Sequence, residues 1–216
     1  DSKLPVIAAP VGMSIGGGFE VVLHADHVVS HANSVMGLVE SFVGVVPAGG
    51  GCKEMLYRWT EKLNDTQKGA WKSFMNIGLG RKANSPQEAD ALAMRRADDV
   101  FQMNRDRILN VALSKLGDTK KASQRSPLAL SGAEHFKEML EWLEVNNKKG
   151  MLTPHDVTVG TEIGRIMSGG DCPAGTVFSE QEILDAERSS FITLAQTQET
   201  QARIVSMLDN GVTLRN

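Results

Sequence analysis

The sequence is poor in aromatic residues, in cysteine and in excess charge of either sign. Of its 216 residues only 5% are aromatic, and the formal net charge is −3, from 23 lysines and arginines against 26 acids. Without a positive excess the chain has no general attraction for nucleic acid or an anionic membrane, so neither is expected as a partner. Cys52 and Cys172 lack CxxC or zinc-ligand spacing, which predicts free thiols and a cytoplasmic location.

Long hydrophobic runs are also missing. The longest apolar stretch, residues 4–13, is interrupted by prolines, and it is far shorter than the roughly 20 residues that span a membrane, so no transmembrane segment is predicted. The chain begins without methionine and without a targeting pattern, and it enters an apolar run almost at once. We therefore expect it to be part of a longer protein.

Short apolar runs alternate with glycine-rich turns in the first hundred residues. Residues 6–9 predict a buried strand, residues 16–18 (GGG) predict a turn, and the apolar spacing from Phe19 predicts a short helix. Further short strands are predicted at residues 28–29 and 35–36. This order of strand, turn, helix and strand is typical of an α/β fold.

The second half of the sequence is mainly helical in pattern. Ser85 followed by Glu88, and Ser179 followed by Glu182, are typical of capped helix starts. Beyond residue 131 apolar residues recur almost continuously at helical spacing.

One motif suggests a serine nucleophile. Residues 12–16 (GMSIG) match the GxSxG elbow, in which Ser14 would attack a carbonyl carbon. A hydrolase of that class needs strands before the elbow and then an acid and a histidine in order. Only one strand is predicted before it, so we interpret Ser14 as part of a turn.

Three histidines and one basic cluster have simpler interpretations than ligand binding. His24, His27 and His31 have spacings of three and four, but the predicted helix ends near residue 25, so they would not share a face. We interpret them as solvated or capping side chains and predict no metal site. The basic cluster over residues 120–125 is interpreted as a solvated loop, with contact to an anionic ligand tail as the alternative.

The patterns GxGxxG and GxxxxGK[ST] are both absent, so no nicotinamide site is predicted within this chain.

A larger set of segments resembles the crotonase, or enoyl-CoA hydratase/isomerase, superfamily in order and spacing. These segments are residues 5–9 (PVIAA), 16–20 (GGGFE), 37–40 (GLVE) and 44–51 (GVVPAGGG). Residues 103–107, 168–171, 179–181 and 214–216 extend the resemblance to the crotonase region of bacterial fusion proteins that also contain a 3-hydroxyacyl-CoA dehydrogenase. The resemblance implies an α/β fold with a partial crotonase-type ββα core over residues 1–100. A helical region over residues 101–216 would cover the acyl site and mediate assembly.

The resemblance also implies a site. Gly17 lies where the family places a backbone N–H that stabilises negative charge on a thioester oxygen. Glu20 and Glu40 lie where the family places two carboxylates, with Glu20 activating water and Glu40 protonating the α-carbon. Taken singly, Glu20 would only stabilise the first turn of a helix, and Glu40 would be a solvated loop acid.

The implied reaction is hydration of 2-enoyl-CoA to 3-hydroxyacyl-CoA in fatty-acid β-oxidation, with a CoA thioester as substrate and NAD bound only in an upstream dehydrogenase part. The family's other oxyanion donor and most CoA contacts come from a segment before residue 6, so we assign no CoA-binding residue and expect the 216 residues alone to be inactive. The alternatives are Δ3-Δ2-enoyl-CoA isomerisation and a non-catalytic assembly scaffold. The expected partners are a second copy of the chain and a thiolase of the same pathway.

Overall fold

The computed structural model describes residues 2–216, in which short strands alternate with helices. The strands are β1 (Ile7–Ala8), β2 (Met13–Ile15), β3 (His27–His31), β4 (Val35–Gly37), β5 (Lys82–Ala83), β6 (Val100–Gln102), β7 (Leu128–Ala129) and β8 (Val177–Phe178). The helices are α1 (Gly17–Leu23), α2 (Gly51–Leu63), α3 (Thr66–Gly78), α4 (Pro86–Ala91), α5 (Ile108–Lys115), α6 (Gly132–Lys148), α7 (Pro154–Ser168), α8 (Glu180–Ala195) and α9 (Gln198–Asn210). Shorter 3₁₀ helices span Arg105–Arg107 and Glu40–Val43, and the latter is named the Glu40 turn. The predicted α/β fold with a C-terminal helical region is confirmed.

The chain folds into two compact units whose segments interleave along the sequence. The first unit contains the residues up to Leu38 together with Lys82–Arg125. The second contains Val39–Arg81 together with Ser126–Asn216. The division at about residue 100 into a core and a helical region stays a prediction, and its first residue, Asp1, lies outside the described residues.

Small sheets organise the first unit. β3 lies between β1 and β6 and pairs with both in parallel. β4 lies between β2, which is parallel to it, and β5, which is antiparallel. Val28 and Val29 on β3 are buried, as expected for a parallel strand that is covered on both faces.

Helix α5 provides part of that cover. Ile108 and Ala112 on α5 form a buried cluster with Val29, and Ile7 and Val100 pack against the cluster from the neighbouring strands. Ile108 and Ala112 lie one helical turn apart on α5, so both can contact the same strand residue.

Packed helices form most of the second unit. α2 packs on α3, and α7 packs on both α3 and α6. The α6–α7 approach is close, because a Cβ atom on Gly160 would lie only 2.5 Å from Cδ2 of Leu143. β7 and β8 form an antiparallel pair. No helix within residues 2–216 is long and apolar enough to cross a membrane.

The predicted helix caps are present. The Ser85 hydroxyl accepts the N–H of Glu88, and Ser179 forms a capping box with Glu182. The Ser179 hydroxyl and backbone N–H hold the pKa of the Glu182 carboxyl below its ordinary value. Helix α4 ends at Ala91, and Ala93 beyond it adopts a left-handed conformation with φ of 55°.

Candidate active site

The glycine-rich turn of the first unit places Gly17 at the start of α1. Gly16, with φ of 57°, donates its N–H to the carbonyl of Gly37 at 2.9 Å, and its own carbonyl accepts the N–H groups of Phe19 and Glu20. The first N–H groups of a helix have no acceptor within that helix, and the helix dipole makes this end favourable for negative charge. Gly17 as a whole residue is solvent-exposed.

The Glu20 carboxylate lies beside this backbone. Glu20 is only 9% exposed, and its Oε2 lies 3.9 Å from the position that a Cβ atom would take on Gly17. The Glu20 carbonyl accepts a hydrogen bond from Nδ1 of His24 at 2.7 Å. The Glu20 carboxylate and the Gly17 backbone therefore lie on one turn of α1.

Glu40 opens the Glu40 turn in the second unit. Both of its carboxylate oxygens are shielded from solvent, which is inconsistent with a solvated loop acid. Its carbonyl accepts the N–H of Val45 at 3.2 Å, and the Ser41 hydroxyl donates to the carbonyl of Ile77 at 3.0 Å. The structure thus brings Gly17 and Glu20 together, whereas Glu40 belongs to the other unit, and its action with Glu20 is a proposal.

An apolar cavity of about 430 Å³ adjoins the Glu40 turn within the second unit. Ser41 and Phe42 of the turn line it, together with Phe74 on α3 and Trp142 on α6. Arg203 on α9 forms part of its polar wall. The sequence pattern did not indicate this cavity, because its walls come from segments far apart in the chain.

Ser14 does not lie on a nucleophile elbow. It is the central residue of β2, paired in parallel with Met36 of β4. The interpretation of Ser14 as part of a turn is wrong, because the strand continues to Ile15 before the chain turns at Gly16. An elbow serine instead stands at the sharp bend after its strand, where its hydroxyl is exposed to substrate.

If the full-length protein hydrates 2-enoyl-CoA as the resemblance implies, we expect Ser14→Ala to leave that activity within about twofold of the unchanged protein, because the implied site does not use the Ser14 hydroxyl. Steady-state assay of both proteins checks this, with labelling by an organophosphonate as a second measurement. Covalent labelling of Ser14, or loss of most activity in the variant, would support a serine hydrolase instead.

The histidines of the first unit have separate roles. His24 is the C-terminal cap of α1, as predicted. His31 contacts the carbonyl of Met103 through Nε2 at 3.1 Å. The prediction of a solvated or capping side chain is wrong for His27, which is only 7% exposed because it begins the central strand β3.

His27 also takes part in a possible ligand group. His27, Asp98 and Asp99 place nitrogen and carboxylate atoms within 4.8 Å of one another. Both Asp99 oxygens already accept backbone N–H groups, from Val28 at 2.9 Å and from Arg96 at 2.8 Å. These bonds join the loop before β6 to the start of β3. They stabilise the buried Asp99 carboxylate, so its burial does not require a metal ion.

The basic loop that ends the first unit has a structural role at Lys121. Its ammonium group lies 3.4 Å from Oδ2 of Asp26, which also accepts the N–H of Val6, while Oδ1 accepts the N–H of Ala122. Burial raises the pKa of Asp26, but these hydrogen bonds and the Lys121 charge outweigh it and hold the pKa below its ordinary value. The loop is therefore anchored to the strand region by an ionised Asp26.

Known proteins resemble this chain in sequence and in fold. Residues 1–62 match the family model for enoyl-CoA hydratase/isomerase. A probable 3-hydroxyacyl-CoA dehydrogenase of Bacillus subtilis is 32% identical over 219 residues, which include 100% of this chain. The structure of carnitinyl-CoA hydratase from Mycobacterium avium matches 95% of this chain with a TM-score of 0.55 at 16% identity. An enoyl-CoA hydratase/isomerase from Pseudoalteromonas atlantica T6c matches 98% of it with a TM-score of 0.52 at 15% identity.

The resemblance to the crotonase superfamily is confirmed. The chain spans 28% of the length of the Bacillus relative, 60% of the Mycobacterium chain and 64% of the Pseudoalteromonas chain. Gly17, Glu20 and Glu40 all lie within the 62 residues that match the family model. The structural matches show a crotonase fold, and the sequence match places the candidate site residues in the part that carries the family signature.

Proposed function

We propose that this chain hydrates 2-enoyl-CoA to 3-hydroxyacyl-CoA as part of a longer protein. The observation that carries the proposal is the position of the buried Glu20 carboxylate, 3.9 Å from the Cβ position of Gly17 on the same turn of α1. Water addition needs a base for the water and a donor for the thioester oxygen, and this turn offers both. The name of the Bacillus relative and the family signature over residues 1–62 support the same substrate class.

The reaction proceeds by adding one water molecule across the double bond. Glu20 accepts a proton from water as its oxygen bonds to the β-carbon, and the π electrons move onto the thioester oxygen. The Gly17 N–H donates to that oxygen as it becomes negative. Glu40 then delivers a proton to the α-carbon. The extra proton on Glu20 and the missing one on Glu40 exchange before the next cycle, which restores both carboxyl groups.

The acyl chain of the substrate is apolar and needs a dry surface. The cavity beside the Glu40 turn offers apolar walls from Phe42, Phe74 and Trp142 and a volume of about 430 Å³. We assign the acyl chain to this cavity, since burying each methylene group there contributes about 0.8 kcal/mol.

An NAD-dependent 3-hydroxyacyl-CoA dehydrogenase in the rest of the protein would oxidise the hydration product. The name of the Bacillus relative supports this arrangement. The 216 residues do not fit NAD themselves, because the glycines before α1 and α2 lack the GxGxxG spacing that holds a pyrophosphate. Cytoplasmic location, self-association and a thiolase partner stay predictions. Cys52 and Cys172 are both free thiols.

Isomerisation is the second candidate, since one carboxylate that moves a proton between two carbons can use the same site. The full-length protein should be assayed with crotonyl-CoA for hydration and with a 3-enoyl-CoA for isomerisation, each followed without and with NAD. We expect crotonyl-CoA to be hydrated and the product to reduce NAD. Isomerisation without hydration would favour the second candidate, and turnover of neither substrate would favour an assembly scaffold.

A further inference from the structure

We infer that Thr200 and Arg203 of α9 are positioning residues for Glu40. The inference rests on the proposed function, in which Glu40 donates a proton to the substrate. Thr200 and Arg203 are three residues apart, so they lie on the same face of α9. That face contacts the Glu40 turn, and both side chains are almost fully buried there.

Thr200 fixes the C-terminal end of the Glu40 turn. Its hydroxyl donates to the carbonyl of Gly44 at 2.7 Å. A hydroxyl has one proton, and that of Thr200 is used in the bond to Gly44. In the 2.8 Å contact between Thr200 Oγ1 and His155 Nε2 the histidine is therefore the donor. Burial and the nearby Arg203 charge hold the pKa of His155 below its ordinary value. The neutral His155 ring therefore holds the Thr200 hydroxyl in place by donating a hydrogen bond to its oxygen.

Arg203 fixes the start of the same turn. Its Nη1 donates to the carbonyl of Ser41, the residue after Glu40, at 3.3 Å. The guanidinium is itself held by Asp156 at 2.8 Å and by the side chain of Asn216 at 2.8 Å. Burial raises the pKa of Asp156, but hydrogen bonds from Thr153 and Arg203 outweigh it and hold the pKa below its ordinary value. Arg203 thus reaches Ser41 as part of an ionised pair with little freedom to move.

The fit between α9 and the turn is tight at Gly44. Gly44 ends the Glu40 turn with φ of 83°, a conformation that favours glycine. A Cβ atom there would lie 2.7 Å from Oγ1 of Thr200 and 3.0 Å from Nε2 of His155. The turn is therefore held by hydrogen bonds near both ends and by direct contact with α9, leaving its backbone little room to shift.

This restraint has a chemical consequence. A proton donor must stay within hydrogen-bond reach of its acceptor, and a displacement of about 1 Å in a catalytic group can reduce the rate about a hundredfold. The Glu40 backbone lies in a 3₁₀ helix of four residues, which is too short to be rigid by itself. Loss of the α9 contacts should therefore lower the rate of the chemical step and leave substrate binding nearly unchanged.

The test is a double-mutant cycle in the full-length protein with crotonyl-CoA. Thr200→Val keeps the side-chain shape and removes the hydrogen bonds, and we expect kcat to fall about tenfold with KM changed by less than about twofold. Thr200→Ser should restore kcat. In the Glu40→Gln background Thr200→Val should cause no further loss, because a positioning residue has nothing left to position. Thr193→Val is the matched control, since that hydroxyl donates within α8 to the carbonyl of Ser189 at 3.0 Å.

The outcomes separate the two proposals. If Thr200→Val lowers kcat equally in both backgrounds, or leaves it unchanged, Thr200 does not act through Glu40 and the inference is wrong. If Glu40→Gln alone is as active as the unchanged protein, the proposed function fails first. Arg203→Lys keeps a charge beside Asp156 but cannot span the same partners, so its kcat repeats the cycle if Thr200→Val does not fold. Its KM is not part of that comparison, because Arg203 also lines the cavity assigned to the acyl chain.

Discussion

Replacing either candidate carboxylate by its amide should lower hydration of crotonyl-CoA by the full-length protein by about two orders of magnitude or more. Glu20→Gln and Glu40→Gln keep the size of the side chain and remove its ability to accept or deliver a proton. Glu20 is 9% exposed and the Glu40 oxygens are shielded from solvent, so bulk water cannot readily replace either group. Steady-state kcat and KM measure the effect, and thermal unfolding shows whether the fold is kept.

The double variant makes this prediction sharper. If the two carboxylates serve one proton-transfer sequence, Glu20→Gln combined with Glu40→Gln should lose little more than the slower single variant. Glu144→Gln is the control, because Glu144 is an exposed acid on α6. Turnover close to that of the unchanged protein in both single variants would contradict the assignment and favour the scaffold.

The elements around Glu20 are predictable from the sequence because they are local. Gly16 needs φ of 57° to turn the chain, and the helix then begins at Gly17. The turn follows from the run of glycines, but the helix begins two residues before Phe19, where the apolar spacing starts it, because Gly17 and Gly18 are already helical. The strand β2 is not predictable in the same way, because Ser14 lies among glycines and gains its strand conformation by pairing with β4. Local pattern therefore identifies the turn and misses the strand before it.

The surroundings of Glu40 depend on contacts between distant segments. Arg203 and Ser41 are separated by 162 residues, and Thr200 and Gly44 by 156. The periodicity of α9 points to its apolar residues instead, yet Leu208 is 79% exposed while Thr200 and Arg203 are buried. A pattern that ranks residues by hydrophobicity selects the wrong face when a helix buries its polar side chains against backbone carbonyls.

Proline in place of Gly17 removes the backbone N–H at this position, which allows a direct test of its proposed role. Gly17 is the first residue of α1, where proline is well tolerated because its nitrogen needs no helical partner. Its φ is not positive, so a side chain can be accommodated. We expect Gly17→Pro to lower kcat by about 10² to 10³, the usual cost of losing one oxyanion donor.

Gly17→Ala is the matched control for that loss. It keeps the N–H, and the nearest heavy atom to the new Cβ is Glu20 Oε2 at 3.9 Å, an ordinary contact. The donor acts on charge that develops in the transition state, so Gly17→Pro should affect kcat more than KM, whereas a methyl group that only obstructs the substrate should raise KM. Circular dichroism and thermal unfolding of both variants show whether α1 is intact. Equal losses of kcat in the two variants would mean that the added side chain, and not the missing N–H, causes the effect. An active Gly17→Pro protein would show that another group stabilises the thioester oxygen.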